Sequence, residues 1–174
     1  MVILKGEKIQ LRAPEKSDLD LLFEWENDPS VWLITQTRAP FSSDLLQDYL
    51  DHADKDLYEF GQMRLMIDCL NPKKTIGNID LFEFDPFNKR LGIGICIADT
   101  KERGNGYAKE ALQRALDYAF EQYDLEQVFC NILSSNEVSL RLFAQAGFEQ
   151  VGIKKRWIRE GKVWHDEILL QKFQ

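Results

Sequence analysis

Arg103-Gly104-Asn105-Gly106-Tyr107-Ala108 divides two apolar stretches of different period. Before it runs Leu91-Gly92-Ile93-Gly94-Ile95-Cys96-Ile97-Ala98, short and strand-like. After it Ala108, Ala111, Leu112, Ala115, Leu116, Ala119 and Phe120 recur at helical spacing. A strand, a tight glycine loop and a helix start make a device for holding an anion. Glycine lets the backbone approach closely and take positive φ. The first N–H groups of a helix lack partners, and the helix dipole adds partial positive charge there. Lys101, Arg103 and Lys109 bring formal positive charge to the same loop. The loop has neither the G-x-x-x-x-G-K-S/T of a nucleotide-binding loop nor the G-x-G-x-x-G of a dinucleotide site.

Working outward, Ile9 and Leu11 before Ala13-Pro14 suggest a first strand. Ser17-Asp18-Leu19-Asp20 reads as a helix start with Ser17 as cap, and Asn27-Asp28-Pro29 as its stop. Phe41-Ser42-Ser43-Asp44 opens a second helix with Leu46, Tyr49, Leu50, Ala53 and Leu57 on one face and Asp44, Asp48, Asp51, Lys55 and Asp56 on the other. The acidic face reads first as solvated surface. Segments Gln62–Leu70, Thr75–Phe84 and Leu91–Ala98, joined by short turns, predict three antiparallel strands. A long helix to about Tyr123 and a buried strand over Gln127–Leu133 follow. Strand, helix, strand in this order implies a right-handed crossover, so that strand should lie parallel to Leu91–Ala98. Asn136 then opens a shorter helix closed by Gly147, Phe148–Ile153 reads as a strand, and Val163–Phe173 ends the chain as another. The expected fold is α+β: a single domain over residues 1–174, with a mostly antiparallel mixed sheet of about seven strands and helices on both faces.

The net charge of −7 disfavours nucleic acid and favours cationic partners. The opening Met1-Val2-Ile3-Leu4-Lys5-Gly6 has no signal-peptide pattern, and no apolar run approaches a membrane span of ~20 residues. A cytoplasmic protein is the expectation. Cys69, Cys96 and Cys130 occupy apolar runs without C-x-x-C spacing, so buried reduced thiols are expected. With His52 and His165 the only histidines and no Cys/His cluster, no metal site is expected.

The glycine loop resembles the acetyl-CoA loop Q/R-x-x-G-x-G/A of the GCN5-related N-acetyltransferases, with Arg103, Gly106 and Ala108 in its fixed positions. Asn136-Glu137-Val138-Ser139-Leu140-Arg141-Leu142-Phe143-Ala144-Gln145-Ala146-Gly147-Phe148 is similar to that family's N-x-x-S/A-x-x-[LIV]-[YF]-x-x-x-G-F helix. Leu11-Arg12-Ala13 with Asp18-Leu19, Trp25-x-Asn27-Asp28-Pro29 and the closing Gly161–Glu167 resemble the branch that holds ribosomal-protein N-terminal and spermidine acetyltransferases. The resemblance runs from about residue 7 to residue 172.

The resemblance implies acetyl transfer from acetyl-CoA, with no metal, to a primary amine: a peptide N-terminus or small amine, with a polyamine or aminoglycoside-type acceptor as alternatives. A non-catalytic acyl-CoA-binding module is the alternative from another class. Carried over, main-chain N–H groups of Arg103, Gly104, Asn105, Gly106, Tyr107 and Ala108 hold the pyrophosphate. The pantetheine arm pairs with Ile95, Cys96 and Ile97, which requires this strand and Gln127–Leu133 to splay. Gly92 and Gly94 suit a bulge there. A backbone N–H near Ile95 or Cys96 is the oxyanion donor. Asn136 caps its helix or meets the arm, and Ser139 belongs to the same motif. For the base, Glu83 is the first expectation and Asp80 the second, facing opposite sides of a regular strand. Where many relatives have a tyrosine to protonate the leaving thiolate, this chain has Phe143. Tyr107 or another hydroxyl, water, or an unassisted thiolate stand in its place. An acyl-cysteine route through Cys96 or Cys130 ranks below direct transfer. Trp25, Trp32, Tyr58 and Phe87 are candidates to line the acceptor cleft, and a homodimer is the assembly entertained.

Overall fold

Alternation along the apolar segments builds a twisted seven-stranded sheet in the order β1-β2-β3-β4-β5-β7-β6. The computed structural model describes residues 4–53 and 56–174; Met1–Ile3 of the expected leader-free start and Lys55 of the acidic helix face lie outside them. The strands are β1 (Ile9–Arg12), β2 (Met63–Leu70), β3 (Lys73–Asp85), β4 (Arg90–Ile97), β5 (Gln127–Leu133), β6 (Glu149–Glu160) and β7 (Val163–Phe173). Every neighbouring pair is antiparallel except β4 and β5, which run parallel. The helices are α1 (Leu19–Glu26), α2 (Trp32–Thr35), α3 (Ser43–Asp51), α4 (Leu57–Phe60), α5 (Tyr107–Tyr123) and α6 (Glu137–Gln145).

Both sheet faces are covered, as the sequence predicts. Leu65, Ile67, Ile79, Leu81 and Ile93 pack with Ala111, Leu112, Ala115, Leu116 and Ala119 of α5 in the main core, which Phe143 of α6 joins. On the other face Met66 of β2 packs with Leu22 of α1 and Leu46 and Leu50 of α3. Five alanine or leucine side chains in the α5 stripe let that helix lie close to the strands. Glu110 in its first turn accepts from the main-chain N–H groups of Glu7 and Lys8, which fixes the helix start beside the chain entering β1.

The sheet opens at its centre. β4 and β5 pair only through Arg90–Gly92 with Gln127–Phe129. Beyond Gly92, β4 stays bonded to β3 as far as Ile97 but has no strand partner on its other edge. This is the splay the resemblance requires.

Local details depart from the sequence reading where side-chain partners decide. Ser17 does not cap α1. A 3-10 turn over Lys16–Asp18 precedes the helix, and Asp18 accepts from the Glu15 N–H at 2.8 Å. Asp18 is drawn there by Arg12, whose guanidinium forks onto it at 2.7 and 2.9 Å and also reaches Asp68 at 2.7 Å. Burial alone would raise the Asp18 carboxyl, but these hydrogen bonds prevail and hold it below the usual carboxylate range. The Arg12 guanidinium is correspondingly held more firmly protonated. Leu57 belongs to α4 rather than to α3, and α2 is a further short helix. β6 runs on to Glu160. The bulge lies in β3 between Phe82 and Asp85, not at Gly92 or Gly94.

Candidate active site

The glycine loop presents its backbone to solvent. Gly104 and Gly106 have φ of +83° and +82°, a region that L side chains rarely adopt. Among the described residues, the main-chain N–H groups of Gly104 through Lys109 have no hydrogen-bond acceptor. Gly106 is the cap of α5, and its carbonyl takes the Glu110 N–H. Six free donors at the positive end of a 17-residue helix form a cradle for a polyanion. Lys8 Nζ stands beside it, 3.4 Å from the Asn105 carbonyl. Spacing in the sequence gives no sign of Lys8, because it comes from the far edge of the sheet. The Arg103 side chain turns back, and its Nε donates to the Ile97 carbonyl at 2.9 Å.

From the loop the unpaired edge of β4 leads inward to the last rung at Gly92. There the Phe82 and Phe129 rings meet across β4, made possible because residue 92 has no side chain. A Cβ at Gly92 would come within 2.3 Å of the Phe82 ring. Donor cradle, free strand edge and aromatic floor thus follow one another along a single gap. The loop and the strand edge fit the pyrophosphate and the amide arm of acetyl-CoA, respectively.

The face beneath α1 and α3 carries the polar groups. Asp80 pairs in register with Gly94, two residues beyond the last rung. Its Oδ1 accepts from Arg64 Nε at 2.6 Å, and its Oδ2 from Arg64 Nη2 at 2.9 Å and Asn78 Nδ2 at 3.1 Å. Arg64 also holds Glu26 of α1. Burial opposes the Arg64 charge, but Asp80 and Glu26 more than offset it and raise its proton affinity. Glu83 lies within the β3 bulge at φ +49°, exposed, and below the level of the gap. The regular alternation on which the comparison of Glu83 with Asp80 rested therefore fails at Glu83. Cys96 has its thiol pushed up, by burial above all and against the pull of Arg103, so it is a poor nucleophile. Cys130 is pushed up further by burial alone.

Other expected residues are placed as follows. Tyr107 directs its hydroxyl to Cys69 on β2, which raises the phenol; that is two strands away from the β4 edge. Asn136 caps α6, its Oδ1 accepting from the Ser139 N–H at 3.2 Å. Phe143 is 2 % exposed and stacks edge-on against Phe148, with no hydroxyl to offer. Trp32 Nε1 binds the Glu26 carbonyl at 2.9 Å, and Trp25 packs on the α1–α3 cluster. Tyr58 packs on Phe84 and Tyr123, beside a concavity of about 410 Å³ lined also by Met63, Tyr118 and Gln122. Phe87 is 93 % exposed in the β3–β4 turn. Neither of these last two reaches the gap.

A second polar group stands on the β5 side, unforeseen from the sequence. Lys154 Nζ of β6 donates to Asn131 Oδ1 at 2.7 Å and to Glu167 Oε2 at 2.9 Å. Gln36, just after α2, donates to Glu167 Oε1 at 3.3 Å. The one available signal was a charged pair, Asp166-Glu167, set directly before the apolar run Ile168-Leu169-Leu170 of the final strand.

The fold is shared with known proteins. The acetyltransferase (GNAT) domain family matches residues 8–149. Spermidine N(1)-acetyltransferase of Vibrio cholerae is 24% identical over 147 residues, covering 84% of this chain and 82% of that one. The structure of spermidine N-acetyltransferase from Vibrio cholerae in complex with CoA and spermine superposes with a TM-score of 0.86 at 22% identity, covering 97% of each chain. Ribosomal-protein-S5-alanine acetyltransferase of Vibrio fischeri superposes with a TM-score of 0.85 at 20% identity, covering 99% of this chain and 97% of that one. Among the described residues, no helix is long and apolar enough to cross a membrane.

Proposed function

The chain belongs to the acetyltransferase (GNAT) family and is an acyl-CoA-dependent N-acetyltransferase, and on that premise we propose that its acceptor is a primary amine, a peptide N-terminus or small amine, that attacks the thioester directly. The observation that carries this reading is the unpaired β4 edge, running from the free N–H groups of residues 104–109 to the last rung at Gly92.

Acetyl-CoA supplies an activated acyl group, and the residues of the chain do the rest. Main-chain N–H groups of residues 104–109 hold the pyrophosphate, that of Arg103 being taken by the Thr100 carbonyl, and residues 95–97 align the arm. A main-chain N–H near Ile95 or Cys96 stabilises the oxygen that gains charge during attack. An alkylamine with a pKa of ~10.4 arrives mostly protonated, so a proton acceptor is needed. We assign this role to Asp80, directly or through water, on three supports: it is at the level of the gap, its side chain is 36% exposed, and Oδ1 has accepting capacity beyond its one bond to Arg64. Glu83 is the weaker candidate for the reason given by the bulge. Phe143 donates no proton, and an alkyl thiol ionises near ~8.5, so the thiolate departs without an acid from α6.

A polyamine acceptor is the second reading, favoured by the net charge of −7 and the Vibrio cholerae relative. Calorimetric titration with acetyl-CoA, followed by thiol release over N-terminal peptides, small monoamines, polyamines and aminoglycosides, tests both readings. Coenzyme binding with no thiol release on any amine would refute acetyl transfer by this chain.

A further inference from the structure

We propose that Lys154 is a specificity-determining residue: its ammonium receives the carbonyl or carboxylate oxygen beside the reacting amine, so that the acceptor is an α-amino acid or peptide N-terminus. This inference rests on the acetyl-transfer reading and narrows its acceptor class. Asp80 and Phe82 alternate onto one face of β3, Phe82 meets Phe129 of β5, and Asn131 follows Phe129 by two residues. Lys154 is bonded to Asn131, so its ammonium and the Asp80 carboxylate share one face of the sheet. Their levels also agree. Gly94, opposite Asp80, and Asn131 each lie two residues past the final β4–β5 rung.

The ammonium has capacity to spare. It has three N–H donors, of which Asn131 and Glu167 take two. The Lys154 side chain is 32% exposed, whereas that of Glu167 is 5% exposed. The buried carboxylate therefore fixes the cation in place without itself facing an acceptor. The Trp157 ring, 5.3 Å from Nζ, steadies it further.

An α-amino acid or peptide N-terminus carries its amine and a carbonyl oxygen on adjacent carbons, which suits an anion on one side of a gap and a cation on the other. A polyamine has no oxygen to offer Lys154 and would set a second ammonium beside it. The other carboxylates of this face are already engaged, Glu26 by Arg64 and Glu167 by Lys154.

Thiol release is measured with an alanine-initiated dipeptide, isopropylamine and spermidine, for the wild type, Lys154→Met, Lys154→Arg and the double variant Lys154→Met/Glu167→Gln. The double variant avoids an unpaired buried carboxylate, which on its own can unfold the chain. The expected result is that the kcat/KM ratio of dipeptide to isopropylamine falls at least tenfold in both Met variants, through KM, and recovers in part with Arg. A ratio within twofold of wild type in the folded double variant overturns the proposal, as does a wild type that prefers spermidine to the dipeptide. No thiol release with any amine would refute the underlying reading instead. Calorimetry of dipeptide binding to the CoA-loaded protein then decides this inference by itself: tenfold weaker binding in the double variant supports it, and unchanged binding overturns it.

Discussion

Phe82 of β3 and Phe129 of β5 meet edge to face with their centroids 6.1 Å apart, spanning the strand that separates them. The contact closes the sheet at the level where β4 and β5 cease to pair, and it exists because Gly92 leaves the space. Gly92→Ala forces the Phe82 ring aside. It is expected to cost about 1–3 kcal/mol and lower the thermal midpoint by several degrees. Gly152→Ala, with nothing within 4 Å of the added carbon, serves as the comparison in the same melt.

Asp80 and Glu83 are separable by experiment. Asp80→Asn is expected to lower kcat/KM by about 100-fold, within the usual range for a general base. Glu83→Gln should lose at least tenfold less. Arg64 keeps Glu26 in the Asp80 variant, so circular dichroism should show an unchanged fold. Equal losses from the two substitutions would remove Asp80 from the role assigned to it.

Gly106 combines a φ of +82° with open space around the missing side chain, where only Lys8 Nζ comes near, at 3.9 Å. Gly106→Val therefore strains the cradle more than the core. Calorimetry should show acetyl-CoA binding weakened at least tenfold, about 1.4 kcal/mol or more. A folded variant that binds as tightly as the wild type would contradict the cradle.

The sequence made the central elements legible and the connections between them less so. The β5 limits and the end of α5 are where periodicity places them, and Asn136 caps α6 as its residue type suggests. Those elements are decided by local pattern. Ser17 does not cap α1 because Asp18 takes the position before the helix, and its side chain goes to Arg12 and the Glu15 N–H rather than to the helix. β6 outruns its expected end because Asp166 accepts from the Arg156 N–H at 2.8 Å and from Lys155 at 2.9 Å, holding a polar irregular stretch against β7. The pairing of Lys154 with Glu167 was hidden for the same reason: a charge in a strand looks solvated until the partner strand is known. The glycine loop was legible because its chemistry lies in the backbone.

Asp18 gives the fold a defined acid limit. Its carboxyl is held below the ordinary ~3.9, so the stabilisation it brings is complete above that value. It is lost as pH falls through the lower folded value. Urea unfolding should show stability declining below about pH 4. Asp18→Asn should be about 3 kcal/mol less stable at neutral pH, since it leaves Asp68 as the one carboxylate on Arg12 among the described residues, and should show a flatter decline in acid. Parallel curves for the two proteins would mean that Asp18 does not set the limit.

Arg103 folds back onto its own strand. Its Nε is lodged on the Ile97 oxygen, so one acceptor at the end of β4 is already taken by the chain itself. Any guest claiming that oxygen must evict the guanidinium first, so docking there trades one bond for another and the net heat understates the grip.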